Sequence, residues 1–301
     1  MNSGVVQPCP ICQNPGTRHI ATCDQTVRIQ GCTRCGAEFA IYPPQRRADR
    51  DHFAGVDGEM YARSVKATRE ASYEALLAHV SAVIKGGRWL DVGCSYGWLL
   101  ERMRTAGFDG YGVEPSPGAA QKARDSGLKV TTGIFPVVVG DGAPYSVVSF
   151  MDVLEHLTDP AQILESTRQH LGLDGLVVIQ VPDQSCLLYW LARSMCRWSA
   201  GRLDFALRRL WLTELDFPHR FYFNRRSLDR LCARSGYEII DWYRAAIGAP
   251  GQARDRVGYL NGKKNPVLPM VSAGVATISA MDILWRRGGL LVVIARPRRK
   301  S

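Results

Sequence analysis

The chain has 301 residues, a length that accommodates one large domain and a small additional unit. Hydrophobic residues account for 46% of the chain and charged residues for 22%, a composition that predicts a globular core and excludes a disordered chain. The formal net charge of +10 favours an anionic partner, such as a charged substrate, a nucleic acid or an acidic membrane surface.

Four of the nine cysteines form two Cys-x-x-Cys pairs near the N-terminus. Cys9 and Cys12 are separated from Cys32 and Cys35 by 19 residues, a spacing that suits a tetrahedral zinc site. Because four protein ligands leave no open position on the metal, we expect this zinc to be structural. The other cysteines are scattered and no signal-peptide pattern is present, so we expect a cytoplasmic protein.

Strands and helices are predicted to alternate after this ribbon. Residues 59–84 have the apolar spacing of a helix, and helices are also predicted at residues 98–106 and 116–126. Seven apolar segments predict strands, at residues 88–92, 110–113, 128–132, 146–151, 176–181, 237–243 and 290–295. This alternation predicts a doubly wound α/β sheet, on which ligands bind at the carboxyl ends of the strands.

A glycine-containing turn follows the first of these strands, in the sequence LDVGCSYG at residues 90–97. Gly93 allows the backbone to pass close to a ligand, and the helix that follows offers N–H groups to a carboxylate. Glu114 ends the next strand, where an acid can accept hydrogen bonds from ribose hydroxyls. Ser95 stands where nicotinamide-binding turns have their middle glycine. The turn therefore indicates a nucleoside-containing cofactor but departs from the nicotinamide pattern.

Several segments resemble class I S-adenosylmethionine-dependent methyltransferases. Residues 90–97 resemble motif I of that family, and SFMDVLEHLTDP at residues 149–160 is similar to the motif after its fourth strand. HRFYF at residues 219–223 resembles a late segment of methyltransferases of types 11 and 23. The resemblance covers roughly residues 86–245. It implies a Rossmann-like seven-stranded sheet whose last strand is antiparallel, here combined with the ribbon and a helical insertion.

The resemblance also implies S-adenosylmethionine as the cofactor and assigns roles to residues around it. Glu114 would bind the ribose, and Asp91 would orient the methionine end. Gly133 and Ile134 would flank the adenine, and Tyr61 would reach over the cofactor. The remaining residues expected at the cofactor are Gly93, Cys94, Gly97, Met151 and Asp152.

The chemistry requires an oriented nucleophile and a group that accepts its proton, because a sulfonium is already an activated methyl donor. His156 is the best-placed base, and Glu155 and His219 are the other catalytic candidates; each can equally serve packing or helix capping. If the segment after the fourth strand is helical, Asp152, Glu155 and His156 share one face. That face could hold a divalent cation, as ubiquinone-biosynthesis O-methyltransferases, which look similar here, are thought to do.

The second half of the chain contains two further features. An insertion rich in aromatic residues and arginines is either a lid that binds phosphate or carboxylate groups, or a solvated helical hairpin. Residues 266–285 are almost uncharged but contain proline, glycine and hydroxyl residues, which favours a docked helix over a membrane span. Contact with the inner face of a membrane through this segment is left open.

The sequence predicts five divisions of the chain. They are a ribbon at 1–45, a linker and lead-in helix at 46–85, a cofactor core at 86–183, the insertion at 184–218 and a C-terminal part with a basic tail at 219–301.

Three functions compete at this point. The first is a methyltransferase for a small-molecule or glycan acceptor, such as a sugar or lipid-linked sugar, acting by O-methylation. The second is an RNA methyltransferase, suggested by the positive charge and the ribbon. Salt-dependent binding of RNA would favour this function. The third is a non-catalytic binding module that kept the fold.

Overall fold

The N-terminal ribbon is a small antiparallel sheet in the computed structural model, which describes residues 7–43, 58–246, 268–285 and 287–298. Its strands are β1 (Thr17–Cys23), β2 (Val27–Cys32) and β3 (Glu38–Ile41). Pairing joins β1 to β2 and β2 to β3, with a bulge in β1 after His19. The hairpins bring the two cysteine pairs to one end of the ribbon.

The rest of the described chain alternates helices and strands. In chain order the elements are α1 (Gly58–Val83), β4 (Gly87–Val92), α2 (Trp98–Thr105), β5 (Phe108–Glu114), α3 (Pro117–Asp125), β6 (Lys129–Thr132), β7 (Tyr145–Met151), α4 (Pro160–Thr167), β8 (Leu171–Pro182), α5 (Leu187–Trp198), α6 (Phe205–Leu210), β9 (Phe221–Tyr222), α7 (Arg225–Arg234), β10 (Tyr237–Ala245), α8 (Leu268–Leu284) and β11 (Leu290–Pro297). Short 3₁₀ turns occur at Leu154–His156 and Arg168–His170.

The central sheet has seven strands in the order β10–β11–β8–β7–β4–β5–β6. Strands β4, β5, β6, β7 and β8 pair in parallel, and β11 runs antiparallel to both β8 and β10. The prediction of a seven-stranded doubly wound sheet with an antiparallel last strand is therefore confirmed. Since helices cover both faces of the sheet, the middle strands are apolar along nearly their whole length.

Local signals in the sequence begin the helices that frame the site. Ser116 caps α3 by accepting a hydrogen bond from the Ala119 N–H, and Pro117 occupies the first turn. Asp159 caps α4 in the same way through the N–H of Gln162, with Pro160 behind it. These caps place both helix starts directly after the loops that follow β5 and β7.

Apolar side chains on the two faces of the sheet build two separate cores. On one face Trp89 and Val178 pack with α1 and α2. On the other face Leu90 and Ile179 pack with α4 and α7, and with Ile11 and Phe39 of the ribbon. The ribbon therefore lies directly against the seven-stranded sheet rather than standing apart from it.

The helical insertion predicted from the sequence is formed by α5 and α6, which pack on the ribbon. Tyr189 and Trp211 share a buried cluster with Ile29 of β2. The buried carboxylate of Glu38 in β3 accepts hydrogen bonds from the Tyr189 hydroxyl and the Arg193 guanidinium. Further along, β9 extends the ribbon sheet by pairing with β3. Ribbon and insertion thus support the segment that contains His219.

Helix α8 lies against α5, as expected for a docked helix. The N–H of Leu187, at the start of α5, donates to Asp282 Oδ1 at 2.8 Å. Within the part of the chain that is described, no helix combines the length and apolar character needed to cross a bilayer.

Candidate active site

The bend after β4 is the centre of the site. Gly93 has a φ of 74°, a conformation that favours glycine, and its N–H donates to the Val113 carbonyl of β5 at 2.7 Å. A Cβ at this position would lie 2.7 Å from Cγ2 of Val153, which belongs to the loop after β7. Gly93 is therefore required both for the turn and for the close approach of the loops after β4, β5 and β7.

Glu114 points towards this bend. Its carboxylate is buried and accepts two backbone hydrogen bonds of 2.8 Å, from the N–H of Ser95 to Oε2 and from that of Ser116 to Oε1. A carboxylate oxygen has two lone pairs and can accept more than one hydrogen bond, which suits a group that binds hydroxyl donors. The arrangement can hold a vicinal diol such as that of a ribose.

Asp91 lies at the end of a buried hydrogen-bond chain. The indole N–H of Trp89 donates to Ser149 Oγ at 2.9 Å, and the Ser149 hydroxyl donates to Asp91 Oδ1 at 2.6 Å. Burial raises the pKa of Asp91 to about 7, and the hydrogen bond from Ser149 opposes that rise. A nearby ammonium group would favour the ionised form, which suits an acid that binds an amino acid group.

The remaining residues predicted at the cofactor occupy different positions around the bend. Gly133 donates its N–H to the Glu114 carbonyl, and the Ile134 side chain beside it is 65% exposed and free to pack on a ligand. The Cys94 side chain points into the sheet, where a Cβ on Gly112 would meet its sulfur at 2.5 Å, so only its backbone can face a ligand. Gly97 begins α2, and Met151 is buried at the end of β7. Tyr61 belongs to α1, but its side chain lies outside the described residues.

Asp152 takes a different position from the one expected. It has a φ of 58°, and its carboxylate accepts hydrogen bonds from Gln180 Nε2 of β8 and faces Arg69 of α1, with 3.5 Å between Nε and Oδ2. The expected helical face shared by Asp152, Glu155 and His156 does not form. The left-handed residue turns the chain, and the next residues make a 3₁₀ turn instead of an α-helix.

Glu155 and His156 are joined instead by His219. One ligand atom from each of these three residues lies within 4.8 Å of the others, and we call them the acid–histidine cluster. The imidazole rings have centroids 4.7 Å apart, and the Arg220 N–H donates to the Glu155 carbonyl at 2.6 Å. The insertion also positions His219, because the backbone N–H of His219 donates to the Trp211 carbonyl.

The acid–histidine cluster is buried and incompletely bonded. Glu155 is fully buried, and neither of its carboxylate oxygens has a hydrogen-bond partner among the described residues; the same holds for Nδ1 of His219. Burial raises the pKa of Glu155, and burial followed by repulsion from His156 lowers the pKa of His219. Unpaired buried polar atoms are costly, so this cluster is suited to receive a hydroxyl, a proton or a divalent cation.

His156 has one ring nitrogen engaged. Its Nδ1 lies 3.3 Å from the Pro218 carbonyl, a contact that requires a proton on Nδ1. In that tautomer Nε2 is the unprotonated ring nitrogen, the one that can act as a base. His156 is also one turn from Val153, which contacts Gly93, so the base lies next to the bend.

The sequence interpretation missed three residues that organise the site. Arg69, Gln180 and Ser149 hold the carboxylates of Asp152 and Asp91. A polar residue within the apolar strand VVIQV was a readable signal for Gln180. No sequence pattern pointed to Arg69, because α1 meets the site only in the folded chain.

The four ribbon cysteines come together as their spacing predicts. Sγ atoms of Cys9 and Cys35 are 3.7 Å apart, those of Cys12 and Cys32 are 3.5 Å apart, and all four lie within 4.8 Å of one another. The N–H groups of Arg34 and Cys35 point at the Cys32 sulfur at 3.4 Å. A tetrathiolate set with N–H groups directed at sulfur fits a zinc ion.

The family model for a methyltransferase domain matches residues 65–241, more than half of the chain. Together with the sheet order and the bend after β4, this match shows that the chain belongs to the methyltransferase domain family. It has the class I methyltransferase fold, with a four-cysteine cluster near its N-terminus.

Individual relatives agree with this assignment. The ubiquinone biosynthesis O-methyltransferase of Methylococcus capsulatus is 31% identical over 143 residues, which cover 45% of this chain and 59% of that protein. The chain thus matches little more than half the length of this curated relative. Magnesium protoporphyrin IX methyltransferase from Synechocystis, solved with bound SAH, has a TM-score of 0.52 at 13% identity and covers 83% of this chain and 98% of its own. A chain from the complex of the Haloferax volcanii Trm112 methyltransferase activator with a methyltransferase has a TM-score of 0.54 at 17% identity, covering 81% and 99%.

Proposed function

We propose that the protein transfers the methyl group of S-adenosylmethionine to a hydroxyl oxygen of a small-molecule or glycan acceptor. The observation that carries this proposal is the acid–histidine cluster, a largely buried set of one carboxyl group and two imidazoles, of which Glu155 and His156 follow β7, the strand that pairs with β4. The names of the curated relatives, which are O-methyltransferases, support oxygen as the methylated atom. The net charge of +10 favours an acceptor with anionic groups, such as a phosphorylated or lipid-linked sugar.

The residues around the bend have different proposed roles in this reaction. Glu114 would bind the ribose hydroxyls, and Asp91 would face the ammonium group of the methionine end. The bound sulfonium supplies an activated methyl group. As the acceptor oxygen forms its bond to that methyl carbon, the carbon–sulfur bond breaks and the hydroxyl proton passes to Nε2 of His156. His219 and Glu155 position this imidazole and limit access of water to it.

The test is methyl transfer from radiolabelled S-adenosylmethionine to a panel of sugars, sugar phosphates, lipid-linked sugars and phenols. We expect a labelled product whose new methyl group is attached to oxygen, as determined by NMR. Methylation at carbon or nitrogen would contradict the proposed reaction. Salt-sensitive labelling of RNA in preference to all small acceptors would instead favour an RNA substrate.

The ribbon cluster is proposed to hold one structural zinc ion. Replacing Cys12 and Cys32 by serine is expected to abolish zinc binding and to destabilise the whole domain by several kcal/mol, because ribbon residues share a core with the sheet. Zinc content by mass spectrometry and the free energy of unfolding in urea are the measurements. Cys23→Ser, a buried ribbon cysteine outside the cluster, is the matched control and should retain the metal. Full zinc content in the double variant would refute the assignment.

A further inference from the structure

Helix α8 exposes large apolar side chains at both of its ends and buries two polar residues. Ser272 and Asp282 are buried at 7% and 5% exposure, whereas Met270 and Leu284 are 72% and 78% exposed. The exposed positions 270, 273, 277, 280 and 284 recur at intervals of three and four residues, so they form one continuous stripe. A helix on the surface of a water-soluble domain normally buries its apolar stripe instead.

The neighbouring insertion continues this exposure. In α5 the residues Trp190, Leu191, Arg197 and Trp198 lie on one arc of the helix, opposite the arc that Tyr189, Ala192 and Cys196 bury against the ribbon. The hydrogen bond between Leu187 and Asp282 joins the start of α5 to the end of α8, so the two helices pack directly against each other. Nine large apolar side chains on these elements are between 38% and 84% exposed, and we call them the outer apolar surface. They are Trp190, Leu191, Trp198, Leu203, Phe205, Met270, Ile283, Leu284 and Trp285.

Positive charge borders this surface. Arg197 and Arg202 are exposed on the insertion, and Arg287 stacks over Trp285 with 6.0 Å between the guanidinium carbon and the ring centroid. Helix α5 contains no acidic residue, and the one acid of α8 is the buried Asp282. Beside α5, a cavity of about 830 Å³ lies between the insertion and β1. Its charged lining residues are five arginines and two aspartates: Arg18, Arg193, Arg197, Arg202, Arg208, Asp24 and Asp204. Anionic groups therefore meet arginines along this edge.

We propose that the outer apolar surface docks the protein on a bilayer that contains anionic phospholipids. Tryptophan is favoured at the headgroup level of a membrane, and arginines beside it bind lipid phosphates while their alkyl parts remain among apolar groups. A two-fold contact with a second copy through the same surface would place arginines opposite arginines, which opposes self-association. This proposal stands independently of the methyl acceptor.

Sedimentation of the full chain with vesicles tests the docking surface. We expect binding to vesicles of phosphatidylcholine and phosphatidylglycerol in equal parts, and weak binding to phosphatidylcholine alone. The double variant Trp198→Ser with Leu284→Ser should lower the partition coefficient about tenfold or more. Reversing two charges, with Arg197→Glu and Arg202→Glu, should remove the preference for anionic lipid. The matched control is Leu173→Ser, an exposed leucine in β8 remote from this surface, which should bind as the wild type does.

Two readouts keep the outcome clear if a variant folds poorly. Circular dichroism checks the fold of each variant, and quenching of wild-type tryptophan fluorescence by brominated lipids reports insertion without any substitution. Absence of vesicle binding or of quenching in the wild type would overturn the proposal. A concentration-dependent dimer in solution that the Trp198 and Leu284 substitutions disperse would also overturn it, in favour of a second copy.

Discussion

Glu114→Gln is expected to weaken S-adenosylmethionine binding by roughly 100-fold, because the two charge-assisted hydrogen bonds from the ribose to the carboxylate would be partly lost. The carboxylate accepts the N–H groups of Ser95 and Ser116, and we expect the same group to accept the ribose hydroxyls of the cofactor. A glutamine has one acceptor oxygen, and its NH₂ group would face a backbone donor. Calorimetric titration with S-adenosylmethionine and with its demethylated product measures the effect.

The control for this substitution is Asp125→Asn, which changes the same charge at an exposed position on α3. It should leave the dissociation constant unchanged. Urea unfolding separates a loss of affinity from a loss of fold, since removing the Ser95 and Ser116 acceptor also costs stability. A folded Glu114→Gln variant with wild-type affinity would mean that the cofactor binds elsewhere, and it would contradict the proposed reaction.

His156→Ala is expected to lower kcat by about 10²–10⁴-fold with little change in cofactor affinity, as for the loss of a general base. The reason is the tautomer: with the proton on Nδ1 directed at the Pro218 carbonyl, Nε2 is the unprotonated nitrogen that can take the acceptor proton. The measurement is single-turnover methyl transfer with the acceptor that the screen identifies. His19→Ala, an exposed histidine of the ribbon, is the matched control.

His219→Ala distinguishes positioning from proton transfer in the same cluster. Burial lowers the pKa of His219 well below its usual range, so its neutral form is favoured and we expect it to add no titration near neutral pH. Its removal should reduce kcat without removing the acidic limb of the pH–rate profile, whereas His156→Ala should flatten that limb. Equal, pH-independent losses in both variants would show that the cluster only packs the site.

How much of the site was predictable follows from how far apart its residues are along the chain. Asp91, Gly93 and Glu114 were identified because strand ends and turns are local patterns, and adjacent parallel strands bring their carboxyl ends together. The contact of Glu155 with His219 spans the whole insertion, and no local pattern encodes it. Asp152 was misplaced because one left-handed residue changes the direction of the chain, and the sequence offered no glycine to mark that turn.

The sequence by itself determined the alternation of strands and helices, the caps of α3 and α4, and the four-cysteine set, because hydrophobic period, capping chemistry and ligand spacing act over short distances. Only the tertiary structure decided that β9 completes the ribbon sheet and which face of α8 is exposed. Helix α8 is apolar on all sides apart from a few small or polar residues, so its sequence has no periodic signal for which face is covered. That choice depends on the buried hydrogen bond of Asp282 to α5, a contact between segments that are distant along the chain.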